Sequence, residues 1–144
     1  MSLKKFIKHK VGIILVLIIS LSFVLNVIKQ GTPPCVNADE AAFAYNAYSL
    51  LKTGSDEYGA PFPVRLKSFG DYKMPLYSYG SIPFIFLFGL NELGARAFNT
   101  LLITLLPLAI FFLTKELFNK KSVSLLAAFL TGSSLALHIV GRQA

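Results

Sequence analysis

Between Lys10 and Lys29 the chain reads VGIILVLIISLSFVLNVI, eighteen residues without a charged side chain. No other feature restricts the fold as much. At a rise of 1.5 Å per residue, a helix over this run covers about 27 Å, close to the hydrocarbon thickness of a bilayer. The basic stretch KKFIKHK ahead of it resembles a signal-peptide n-region, but the apolar run is longer than an h-region and no A-x-A cleavage site follows. It is therefore expected to be a retained first span over about residues 11–29. A mean hydropathy of +0.61 and 54% hydrophobic residues point the same way, against roughly 45–50% in soluble domains.

The net charge of +7 would suggest nucleic acid in a soluble chain, yet the basic residues divide by position and form no single patch. Lys4, Lys5, Lys8 and Lys10 precede the first span, and Lys115, Lys120 and Lys121 separate two later apolar runs. This is the positive-inside pattern, with a cytoplasmic N-terminus and no nucleic-acid partner. Ala97–Thr114 is uncharged and predicts a span over about residues 93–117. Ser122–Gly141, uncharged apart from His138, predicts another over about 122–140. Pro107 inside the earlier run is tolerable where neighbouring helices satisfy the freed carbonyl. The apolar segment of about residues 74–90 is different, because Pro75, Gly80, Pro83 and Gly89 interrupt it and Tyr72, Tyr77 and Tyr79 have interfacial character. A crossing there would also place the Lys115–Lys121 loop opposite the basic N-terminus, so an interfacial helix is expected.

On this topology residues of about 30–92 form one large extracytoplasmic loop. It holds Asp39, Glu40, Asp56, Glu57, Asp71 and Glu92, six of the seven acidic residues, against Lys52, Arg65, Lys67 and Lys73. Within it a helix is expected over about 39–52, capped by Asn37 or Asp39 and stopped by Gly54. Phe43, Ala47, Leu50 and Leu51 form its apolar stripe, leaving Tyr45, Asn46 and Ser49 more open to water. The following GSDEYGAPFPVRLKSFGDYK has the composition of an ordered loop. The lone Cys35 gives neither an internal disulfide nor metal-ligand spacing. No internal repeat is present.

Asp39 and Glu40 sit where carboxylates complement a helix macrodipole, and that bland role accounts for one of them. Successive helical residues point about 100° apart, so both cannot cap the same amide and one is free to face a substrate. Lys73 beside Tyr72, at headgroup depth, suits a lipid phosphate, with simple snorkelling as the alternative. Asp71, next to an anionic surface, needs a partner. Arg65 and Lys67 either reach lipid phosphate or form a solvated face. Asp56 and Glu57 read as turn residues, His138 as a packing or interfacial residue, and Arg96 as the mark of a helix start at the outer surface.

At these residues a family resemblance emerges. DEAAFAYNAYSLLKTGSDEYG and SFGDYKMPLYSYGSIPFIFLFGLNELGARAFNTL resemble the first extracytoplasmic loop and second span of GT-C membrane glycosyltransferases. The similar branch is the bacterial one, related to protein O-mannosyltransferases and to the aminoarabinose transferase of lipid A, over about residues 11–142. The features recur in order: an acidic pair after the first span, a Tyr-Asn-Ala helix ending in Lys-Thr-Gly, Lys-x-Pro-Leu opening an aromatic segment, and Phe-Gly-x-Asn before a helix containing Ala-Arg.

The resemblance implies an all-α integral membrane fold, here about three transmembrane helices plus the large first loop with its interfacial helices. It implies transfer of a sugar from a polyprenyl-phosphate donor to an acceptor hydroxyl at the outer face of the bacterial inner membrane. By it, Asp39 is the main catalytic carboxylate, Glu40 its neighbour, and Lys73 a ligand of the carrier phosphate; Tyr72 and Arg65 are expected to bind the lipid phosphate too, on their own charge and interfacial character. Asp71 is near the position where relatives carry an acidic residue directly before that lysine, but Tyr72 intervenes. The aminoarabinose branch has an arginine two residues after the acidic pair, where this chain has Ala42. Relatives are several times longer, so the chain reads as an N-terminal part, inactive alone. Relatives differ in their use of a divalent metal, and the acidic residues suit either scheme; the acceptor is left open. The alternative reading is a non-catalytic membrane subunit or lipid-phosphate-binding module. A transporter fits less well, because the spans lack the internal polar residues of an ion path.

Overall fold

Leu, Ile and Val from Val11 onward carry no group that competes for backbone hydrogen bonds, and they propagate one helix, α1 (Leu3–Val27). In the computed structural model, residues 3–28, 36–68 and 70–140 are described, without the side chains of 3–9, 68, 71 and 140. Cys35 lies outside the described residues, and so does the side chain of Asp71. The remaining elements are α2 (Ala38–Thr53), β1 (Leu66–Ser68), β2 (Asp71–Lys73), α3 (Pro75–Phe88), α4 (Glu92–Phe118), α5 (Lys121–Gly132) and α6 (Leu135–Val140). The described residues divide into two compact units: residues 3–28 with 100–140, and residues 36–99.

In the first unit, α1 and α4 are long and apolar enough to cross a membrane. Ile13, Val16, Leu17, Phe23 and Val24 of α1 are exposed, a surface suited to lipid rather than water. Leu15, Ile18, Phe111 and Ala128 form the buried core, flanked by Val11, Leu108 and Leu125. Gly132 lies against Ile18 and Pro107, where a Cβ would stand 3.0 and 3.2 Å from their side-chain carbons. The apolar run of about residues 122–140 is not one helix, since α5 stops at Gly132 and α6 starts at Leu135. Small polar residues make the break: the Ser133 N–H bonds back to the Phe129 carbonyl, and its hydroxyl competes for the same oxygen at 2.8 Å. His138 is buried beyond that break, its Nδ1 3.0 Å from Asn26 Oδ1 and its Nε2 2.9 Å from the Gly132 carbonyl.

In the second unit, α2 and α3 pack through small side chains. Ala44 and Ala47 of α2 meet Ile85 of α3, and Ala95 at the start of α4 completes the cluster. The Ser78 hydroxyl donates to the Phe43 carbonyl at 3.2 Å, tying the two helices. Pro75 at the first turn of α3 has no N–H to leave unsatisfied there. With 14 residues, α3 covers about 21 Å, less than a bilayer's hydrocarbon layer. Its rings stack onward: Phe43 to Tyr77 at 5.1 Å and Tyr77 to Phe98 at 5.4 Å between centroids. β1 and β2 form an antiparallel hairpin with Leu66 opposite Lys73, where the sequence reading had only an ordered loop. Leu66 is its buried anchor, 1% exposed.

Gly80, which in the sequence reads as an interruption, is instead a contact. A Cβ there would overlap the Phe98 ring. Gly80→Val should therefore lower stability by about 1–3 kcal/mol, the usual range for overpacking. Thermal unfolding of the purified protein in detergent checks this; an unchanged midpoint would show that Phe98 can move away without loss.

Candidate active site

The chain around Asn37 closes a reciprocal cap on α2. The Asn37 Oδ1 accepts the Glu40 N–H at 2.8 Å, and Glu40 Oε2 accepts the Asn37 N–H at 3.1 Å. Spacing of three residues is what such a box requires. At the other end Gly54, at φ +70°, adopts the left-handed conformation and its N–H returns to the Leu50 carbonyl. The two adjacent carboxylates consequently part company. Glu40 turns inward, 1% exposed, and Asp39 remains 66% exposed.

Glu40 meets Arg96, a residue more than one turn inside α4 and 2% exposed. Arg96 Nε donates to Oε1 at 2.8 Å and Nη2 to Oε2 at 3.1 Å, so the guanidinium fork grips both oxygens. Glu92, one turn earlier, lies 3.8 Å from Arg96 Nη1. Arg96 is thus an internal tie rather than a surface marker of a helix start. Tyr77 donates its hydroxyl to the Ala95 carbonyl at 3.1 Å. Burial and then the Glu40 charge push its pKa well above the ordinary phenol value, so it remains a neutral donor.

Lys73, last residue of β2, reaches across from the hairpin to form an ion pair with Asp39 Oδ1. Its Nζ stands 5.4 Å from the centre of the Phe43 ring, and only 17% of the side chain is exposed. The stem is packed while the charged head is held at the mouth of α2, a partly desolvated cation–π setting. Of the residues singled out from the sequence, Asp39 and Lys73 are therefore brought together. Glu40 is engaged with Arg96. Tyr72 is exposed and, one residue from Lys73 in the strand, points to the opposite face of the hairpin. Arg65 is exposed just before Leu66, and Asp71 opens β2 opposite Ser68.

Sequence reasoning missed two partners. Asn46, expected to face water, is 1% exposed: its Nδ2 donates to the Ala42 carbonyl at 3.0 Å and its Oδ1 accepts the Glu57 N–H at 3.2 Å. An asparagine inside a helix, followed by a Gly-Ser-Asp turn, was the only local hint. Arg96 as the partner of Glu40 had no local signal, because 56 residues separate them. Among the described residues no three His, Cys, Asp or Glu side chains gather as a metal site.

The family model described as dolichyl-phosphate-mannose-protein mannosyltransferase matches residues 14–144. The chain belongs to that family. It is a membrane-integral, mannosyltransferase-type glycosyltransferase domain of the GT-C class, whose family uses a polyprenyl-phosphate-linked sugar donor. Neither curated proteins nor solved structures gave a match.

The contrast between the two carboxylates is measurable. Glu40→Ala strands a buried guanidinium and should cost about 3–5 kcal/mol, whereas Asp39→Ala removes an exposed ion pair and should cost less than about 1 kcal/mol. Denaturant unfolding in detergent micelles separates the two; equal losses would contradict the assignment of Glu40 as the internal tie.

Proposed function

We propose that the protein transfers a mannosyl group from a polyprenyl-phosphate donor to an acceptor hydroxyl at the outer face of a bacterial inner membrane, with Asp39 as the base. The observation that carries this reading is the Asp39–Lys73 pair: an exposed carboxylate and a stem-buried ammonium, from segments 34 residues apart, held together. The side assignment rests on charge. With α1 and α4 as crossings, Lys4, Lys5, Lys8 and Lys10 in the first turns of α1 and Lys115 near the end of α4 fall on the cytoplasmic side, and Asp39 and Lys73 on the outer side.

The reaction needs two opposite charges. The acceptor oxygen attacks the anomeric carbon, its proton passes to Asp39 Oδ1, and the bond from that carbon to the phosphate oxygen breaks. Polyprenyl phosphate leaves with the bonding electrons and already carries negative charge, so it needs a cation rather than an acid. Lys73 supplies that cation where charge develops. Before the donor arrives, Asp39 neutralises Lys73; the donor phosphate takes over the ammonium and releases the carboxylate to accept the proton. Tyr72, exposed in the same strand as Lys73, and Arg65, exposed just before β1, would contact the headgroup layer. Asp71 would sit beside them. Glu40, gripped by Arg96, acts by fixing the direction of the helix end that carries Asp39.

Asp39→Asn, nearly isosteric, should lower mannosyl transfer by about 10²–10⁴ while leaving carrier-lipid binding unchanged. Lys73→Met should instead weaken donor binding first. Both are read with the gene's full-length product in proteoliposomes supplied with polyprenyl-phosphate mannose, by product formation and by lipid binding. Transfer by Asp39→Asn at the wild-type rate would refute the base role.

A further inference from the structure

One acidic residue is placed with unusual care and has no part in the chemistry above. The loop from Gly54 to Phe62 folds over Asp56, 4% exposed, whose Oδ1 accepts the N–H groups of Tyr58 at 3.0 Å and Ala60 at 2.8 Å. Ser49 of α2 donates to the Asp56 carbonyl at 3.2 Å, and the buried Asn46 accepts the Glu57 N–H. Phe62 closes the loop at φ +40°, a conformation L residues rarely adopt, with its N–H on the Gly54 carbonyl. All of this fixes the backbone of Glu57. Its side chain is left over: Oε1 is buried and, among the described residues, has no hydrogen-bond partner. A buried acceptor without a donor is unfavourable, and it points to something that belongs beside it.

What lies beside it is a cavity of about 490 Å³, within the range of ligand sites. Methyl groups of Ala41, Ala44 and Ala95 provide an apolar lining, with the half-exposed Tyr45 ring among the walls. The two charged groups that line it are both carboxylates, Glu57 and Glu92, and no lysine or arginine does so. An anionic ligand is thereby disfavoured. A group with an apolar stem and a cationic tip matches this lining, because the stem covers the methyls and the tip is complementary in charge to the Glu57 carboxylate.

We propose that this cavity receives a lysine or arginine side chain of the acceptor polypeptide, with its cationic head on the Glu57 carboxylate. The choice of a polypeptide rests on the proposed transferase reading together with the family model's description as a protein mannosyltransferase. The site itself is separate from Asp39 and Lys73, neither of which lines it. It selects acceptors that carry a basic residue.

The test measures binding, not transfer. The purified protein in detergent is titrated with a labelled short threonine peptide containing one lysine, and with the same peptide carrying norleucine in its place. The lysine peptide should bind about tenfold more tightly, in line with one charge-assisted hydrogen bond. Glu57→Gln should abolish the difference without unfolding the loop, which is clamped through Asp56 and through the Glu57 backbone. Ala41→Leu, at an exposed lining position, should weaken both peptides by filling the space. Asp39→Asn should keep the lysine preference, so failure of the base role and failure of this site give different results. Equal affinity of the wild-type protein for the two peptides, or a lysine preference that survives Glu57→Gln, would overturn the proposal.

Discussion

The second unit depends on a carboxylate and a guanidinium that have both left water. Removing two such ions from solvent costs several kcal/mol each, and only good geometry repays it. Here the fork of Arg96 meets both oxygens of Glu40, and the Asn37 N–H, on Oε2, adds a third donor to the carboxylate. The carboxylate is solvated by protein. One consequence is mechanical, since the start of α2 is joined to the first turns of α4 at a defined angle. The other is chemical, because the inward turn of Glu40 sends its neighbour Asp39 outward on the preceding helical position.

Around that pair the unit is built from small residues and polar ties rather than from bulky apolar packing. Ala44 and Ala47 bring α2 close to α3, and Gly80 leaves room for the Phe98 ring. Close backbones then allow short links from side chains to carbonyls: Ser78 to Phe43, Tyr77 to Ala95, Tyr79 to Pro63. Each is worth about 1 kcal/mol, yet each also fixes a direction, which apolar burial alone does not. A platform of this kind suits a group-transfer site, where an oxygen must meet an anomeric carbon along one line.

In the proposed reaction the two charges come from different kinds of element. Asp39 is carried by a helix end whose first-turn N–H groups favour a carboxylate, and Lys73 by a hairpin whose buried Leu66 anchors the strand opposite. Neither element is near the other in sequence. Their meeting makes an exposed pair that a phosphate can enter, while the inner pair beside it stays closed.

Much of this was legible in the amino-acid sequence. Two of the uncharged runs marked the helices that are long enough to cross a bilayer, and Gly54 marked the end of α2, because each of these signals acts within a few residues of itself. The motifs from Asp39 to Gly59 and from Ser68 to Leu101 also carried the family resemblance. Other features were decided only by folding. The break at Ser133–Ser134 overrode an apolar run that looked continuous, and Asn46 went inward because a loop eleven residues later supplied its partner. The Asn37-x-x-Glu40 spacing marks Glu40 rather than Asp39 as the cap's partner, but its burial was settled by Arg96, 56 residues away. Periodicity reports what a residue does to its own helix turn, whereas the fate of a charge depends on which opposite charge the completed fold puts beside it.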